Sequence, residues 1–208
     1  MLDPGWVIAG AALSLVGSIS YAYATLIGAA RPNVVTWSLW AAVPMVAFSA
    51  QMDSGVGLPA LMTLSAGVGP SIVLISALLS RHMRVRVGVF DVVCGVVATS
   101  AVVVWLGLGR APVAVLVAIV ADSVALLPTL RKAWRDSVSE RIEFYALVAV
   151  GAAITLLTIT SWGLQEWAFA AYQLAACIIV IGVLARGRLH IGESPDTRSY
   201  SLKRRGGR

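Results

Sequence analysis

Long apolar runs alternate along the chain with short polar breaks. Seven runs stand out, at 6–30, 33–52, 56–80, 87–109, 111–132, 139–160 and 166–186. Each is long enough to cross the roughly 30 Å hydrocarbon core of a bilayer as a helix rising about 1.5 Å per residue. The apolar residues lie in continuous blocks, without the alternation of a half-buried strand or the single stripe of a soluble helix. The breaks are "RPN" at 31–33, "DSG" at 53–55, "RHMRVR" at 81–86, Arg110-Ala111-Pro112, "RDSVSE" at 135–140 and "SWGLQE" at 161–166. Breaks this short make successive helices antiparallel neighbours.

Composition agrees with this pattern. Of 208 residues, 59% are hydrophobic and 12% charged, about half the charged fraction of an ordinary soluble domain. The expected fold class is an all-α membrane protein with seven transmembrane helices. The run Trp6–Ala30 follows Asp3 with no Lys or Arg before it. It also exceeds the usual length of a signal-peptide core, so it is read as a retained helix.

Charge sets the expected direction. In a seven-span layout, fifteen of the sixteen Lys and Arg fall on the side of the C-terminus and only Arg110 on the other. The positive-inside rule then places the C-terminus in the cytoplasm and the N-terminus outside, in the plasma (inner) membrane. The net charge of +6 serves topology and gives no reason to invoke nucleic acid. Residues 187–208 are polar and end in a cluster of Lys203, Arg204, Arg205 and Arg208. They are expected to form a disordered tail, with anionic lipid headgroups as a partner at about 1 kcal/mol per charge. Homo-oligomerisation is left open.

Spans 1–3 and 5–7 share one layout: a long helix, a cytoplasmic break, a return helix, a tight outer turn and a third helix. Shifting by 105 residues lays Gly17 on Asp122, Tyr23 on Pro128, Arg31 on Asp136 and Trp40 on Tyr145, with poor identity, so the repeat rests on pattern. Span 4 restores the direction, which lets two triplets run parallel, one of the known transporter plans. The expected organisation is a first three-helix repeat at 1–80, a linker helix at 81–110, a second repeat at 111–186 and the tail.

The motif "LLPTLRKAW" at 126–134 looks like a degenerate PQ-loop, with Pro128-Thr129 in place of Pro-Gln, and is followed by "SVSE" at 137–140. Together with "RPNVVTWSLWAAVP" at 31–44, it resembles the SWEET and PQ-loop superfamily over residues 6–186. The resemblance implies two parallel three-helix bundles joined by a linker helix (3+1+3), and carriage of a small solute. Tyr23 stands where the first repeat's PQ-loop proline would sit. Pro44 and Pro128 supply two of the four helix prolines found in the family's sugar carriers.

Asp122 is the sharpest single feature. Within its span it lies about 15 Å from Pro112 and about 12 Å from Leu130 at about 1.5 Å per residue, close to the midplane. A carboxylate there costs roughly 2.5–3.5 kcal/mol on insertion scales. It is expected to face protein or a water-filled path as a substrate or proton-coupling group; the plainer alternative is a neutral acid bonded to Ser123, Thr129 or a neighbouring helix. Ser65 and Ser71 flank Gly67, Gly69 and Pro70 in span 3, and Tyr172 and Gln173 lie at matching depth in span 7. These five are the candidate substrate-binding residues, against the alternative of close helix packing. Pro44 and Pro128 are candidate hinges, because proline removes a helical hydrogen bond. Trp37 and Trp40 are candidate gates, against a simple interfacial belt.

Cys94 and Cys177 lie in apolar runs and read as unpaired buried thiols. No metal-ligand spacing, catalytic set or phosphate-binding loop is present, so neither metal, cofactor nor enzyme activity is expected. The favoured expectation is a carrier of a small polar solute working by alternating access. A ligand-binding receptor and a scaffold are the alternatives.

Overall fold

The computed structural model describes residues 2–82, 87–108 and 111–192. They form seven helices: α1 Trp6–Leu26, α2 Val34–Asp53, α3 Ala60–Leu79, α4 Val89–Leu108, α5 Ala111–Arg135, α6 Ile142–Thr158 and α7 Leu164–Gly192. No strand occurs among the described residues. Five of the helices are long and apolar enough to cross a membrane: α1, α2, α3, α5 from Val113 and α7 up to Leu189. The chain is a multi-pass helical membrane protein. Its outward faces carry Ile8, Val16 and Ile19 on α1, Val92, Val93 and Val96 on α4, and Ile178 and Ile179 on α7. An apolar exterior of this kind suits lipid tails.

The breaks do what their residues dictate. Gly28, at φ 77°, ends α1 in a backbone region that side-chain-bearing residues rarely enter. Asn33 caps α2, its side-chain oxygen accepting from Thr36 N–H at 3.1 Å, which satisfies one of the helix's orphan donors. Its amide also donates to Asp91 Oδ1 at 3.0 Å, so one side chain both starts α2 and ties α4 to it. Asp91 Oδ2 accepts from Gly88 N–H at 2.7 Å. An amide and a backbone N–H thus hold this acid.

Helix α1 packs on α3 and α6, α2 on α3 and α5, and α7 on α5 and α6, while α4 lies against α5 and more lightly against α2. A backbone-to-backbone approach joins α1 to α6. A Cβ at Gly10 would stand 2.8 Å from Gly151 O, and one at Gly151 would stand 2.5 Å from Gly10 O. The two backbones therefore touch with no side chain between them, as small residues permit in membrane helices. All the described Lys and Arg lie at the end of the bundle that carries the α1–α2 and α5–α6 loops, here called the basic end.

One boundary needs correction. Helix α7 continues to Gly192, through residues 187–192 that the sequence assigns to a disordered tail. Contacts with the rest of the bundle account for the extra turns. Arg186 stacks over the Trp134 ring at 4.8 Å, and Arg188 donates to Glu140 O at 3.1 Å. The cationic cluster at 203–208, and Arg84, Arg86 and Arg110, lie outside the described residues.

Candidate functional site

Six helices converge on a central cavity. Its walls come from Ser14 and Ser18 of α1, Trp40 of α2, Ser65 and Pro70 of α3, Asp122 and Leu126 of α5, Tyr145 of α6, and Gln173 and Cys177 of α7, among others. Among the described residues, none of α4 takes part. The volume open to the centres of water molecules is about 30 Å³, room for one or two waters.

Asp122 is 4% exposed and accepts the hydroxyl of Tyr172 at 2.7 Å. The Trp40 indole lies beside the same carboxyl but short of hydrogen-bonding geometry, so its N–H is buried without a partner among the described residues. The serine hydroxyls are anchored within the protein. Ser18 donates to Ser14 O at 2.9 Å and Ser65 to Met62 O at 2.8 Å, while Ser14 faces Met62 Sδ at 3.7 Å. A hydroxyl that donates inward leaves lone pairs free. The site thus combines a carboxyl, hydroxyl acceptors, an indole donor and the Gln173 amide within an apolar shell.

Two prolines bear on the backbone around this site. Pro44 has no N–H to give the carbonyl of Trp40, and Pro70 has none for that of Ala66; both Trp40 and Ala66 line the cavity. Pro128 likewise deprives Val124. The next carbonyl, that of Ala125, accepts the Thr36 hydroxyl at 2.8 Å, so α2 braces α5 beside the break.

Toward the basic end the cavity meets an aromatic floor. Tyr21 and Trp37 rings lie 4.7 Å apart, Trp37 and Phe144 5.2 Å, and Phe144 and Tyr145 4.9 Å. Below the floor sits Glu140, fully buried. Its Oε2 accepts from Tyr21 at 2.6 Å and from Tyr145 at 3.0 Å, and its Oε1 pairs with Lys132 Nζ at 2.6 Å. Lys132 also reaches the carbonyl of Arg31, and Arg31 N–H donates to Ser139 O at 3.1 Å. This single carboxylate joins α1, α5 and α6 and, through Lys132, ties the α5–α6 loop to the α1–α2 loop.

Of the residues singled out from sequence, Asp122, Gln173, Ser65 and Trp40 line one cavity, and Tyr172 reaches it through Asp122. Ser71 does not join them; its hydroxyl donates to Gly67 O at 2.8 Å within α3. Trp37 is buried in the floor rather than set in an interfacial belt. Pro44 and Pro128 lie inside α2 and α5, outside the cavity wall. Sequence reasoning missed Ser14, Ser18 and Glu140. The serines carry the small-residue signal of helix packing, and Glu140 carries only that of a loop acid among cations.

No family model matches the chain, nor does any curated protein or solved structure.

Proposed function

We propose that this chain is a small carrier that moves a small polar solute across the plasma (inner) membrane by alternating access. The observation that carries the reading is the central cavity, with Asp122 buried in its wall and the Trp40 N–H left without a partner among the described residues. A buried carboxyl and a buried unpaired donor both cost free energy. A solute bearing hydroxyls, or water, would satisfy them.

The helix neighbours support the 3+1+3 plan. Exchanging α1 with α5, α2 with α6 and α3 with α7 converts the α1–α6 contact into α5–α2, α1–α3 into α5–α7, and α2–α3 into α6–α7, all of which are present. Helix α4 stands outside this exchange, as a linker does. Two such bundles rocking about a midplane site match a known transporter scheme and the resemblance to the SWEET and PQ-loop superfamily. In this reading the N-terminus is outside and the basic end cytoplasmic, with proton coupling through Asp122 as a variant.

The test is uptake of labelled glucose, glycerol and a neutral amino acid into proteoliposomes, with and without an imposed pH gradient. Uptake of any of them that is abolished in Asp122→Asn supports a carrier. Binding without uptake favours a receptor, and loss of cellular function on deleting residues 193–208 alone favours a scaffold.

A further inference from the structure

The cavity is closed at its two ends by different chemistry. Toward the end opposite the basic loops, the closure is mainly apolar and carries no charge, with Val43, Ala47, Val115, Ala118 and Phe169 in one cluster, the Gly10–Gly151 contact in another place, and Gln51 donating to Gln165 O at 2.7 Å. Toward the basic end, the closure is the aromatic floor held from beneath by Glu140. Tyr145 belongs to both layers, since its ring lines the cavity and its hydroxyl donates to Glu140.

We infer that Glu140 and Lys132 form the latch that keeps the cavity shut toward the basic end, with Tyr21 and Tyr145 as the bolts it holds. This rests on the reading of the cavity as the midpoint of a path. Glu140 grips Tyr21 of α1 and Tyr145 of α6 through one oxygen, and Lys132 of α5 through the other. Parting α1 from α5 and α6 at this end breaks the Tyr21–Glu140 bond and the reach of Lys132 to the Arg31 carbonyl, while Glu140 keeps Tyr145 and Lys132 on its own side. A charge-assisted bond is stronger than a neutral one in a dry setting, yet it exchanges readily for water once the site opens. A latch that must both hold and release needs that combination. Its position on the loop leading into α6 lets one carboxylate control two helices, and the bond from Lys132 to the Arg31 carbonyl carries the same state to the α1–α2 loop.

The chain supplies its own reporter. Cys177 lines the cavity, and replacing Cys94 by Ser leaves it as the one thiol in the sequence. In sealed vesicles of each orientation, the rate at which a charged, membrane-impermeant methanethiosulfonate modifies Cys177 reads access from each face. Glu140→Gln is expected to raise the rate from the basic end by at least about tenfold, the scale of one lost charged hydrogen bond, and to leave the other face unchanged. Tyr21→Phe and Tyr145→Phe keep both rings and should each give a smaller rise at the same face; they serve if Glu140→Gln does not fold.

An equal rise at both faces, or no change in any of these variants while Trp40→Ala does admit the reagent, would overturn the latch and leave the path standing. Silence of Cys177 from both faces even in Trp40→Ala would remove the path and the latch together.

Discussion

Tyr172 donates its hydroxyl to Asp122 Oδ2 across the α5–α7 contact at 2.7 Å. The two residues lie fifty positions apart in the sequence. The bond turns an otherwise isolated acid into a shared group of two helices and aims it at the cavity.

Removing either partner should have different results. Asp122→Asn keeps the size and an acceptor for Tyr172, so the fold should survive while uptake is lost. Tyr172→Phe leaves a buried carboxyl short of a donor, at a cost of about 1–3 kcal/mol. The expected outcome is a lower melting temperature in detergent for Tyr172→Phe than for Asp122→Asn, with uptake lost in Asp122→Asn and reduced in Tyr172→Phe.

Gly69 offers a way to fill the cavity from behind. A Cβ there would meet Ser18 Oγ at 2.2 Å, and the hydroxyl must rotate away. Since Ser18 lines the cavity, Gly69→Ala should weaken solute binding with little loss of folded protein. Uptake affinity compared with melting temperature checks the separation.

Asn33 performs two tasks, capping α2 and holding Asp91. Asn33→Ala removes both, while Asn33→Ser keeps a capping oxygen and loses the reach to Asp91. The expected cost is about 1 kcal/mol for the cap, so Asn33→Ser should fall between wild type and Asn33→Ala in thermal unfolding. Equal values for the two variants would mean that the cap contributes nothing.

Pro128→Ala returns an N–H to the carbonyl of Val124. Melting temperature should rise, on the order of 1 kcal/mol for one regained bond. If the break in α5 serves movement, turnover in proteoliposomes should fall at the same time. A rise in both would make the proline a static bend.

The helices were legible because each membrane-length apolar block leaves the backbone one way to satisfy its polar groups, as a helix. Asp122 was legible for the converse reason, since a charge inside such a block stands out. Glu140 was not, because a loop acid beside Lys132 and Arg141 looks the same in sequence whether it is solvated or fully buried. Ser14 and Ser18 look like packing residues until α3 and α6 are laid against α1. The last turns of α7 were hidden too. Arg186 and Arg188 belong to a polar stretch whose helical state depends on Trp134 and Glu140, residues some fifty positions away.

The contact of Gly10 with Gly151 has a mechanical consequence. Two rods whose main chains meet at bare glycines cannot glide along each other, because sliding would drive side chains one turn away on the same face, the buried Val7 and Ser14 of α1 or Val148 and Thr155 of α6, into the opposite backbone. They can roll and tilt about that spot, as a rocker does on its bearing. With the bearing near one membrane face, a few degrees of tilt separates the far ends of α1 and α6 by the largest amount, and those far ends are where Tyr21 and Tyr145 sit.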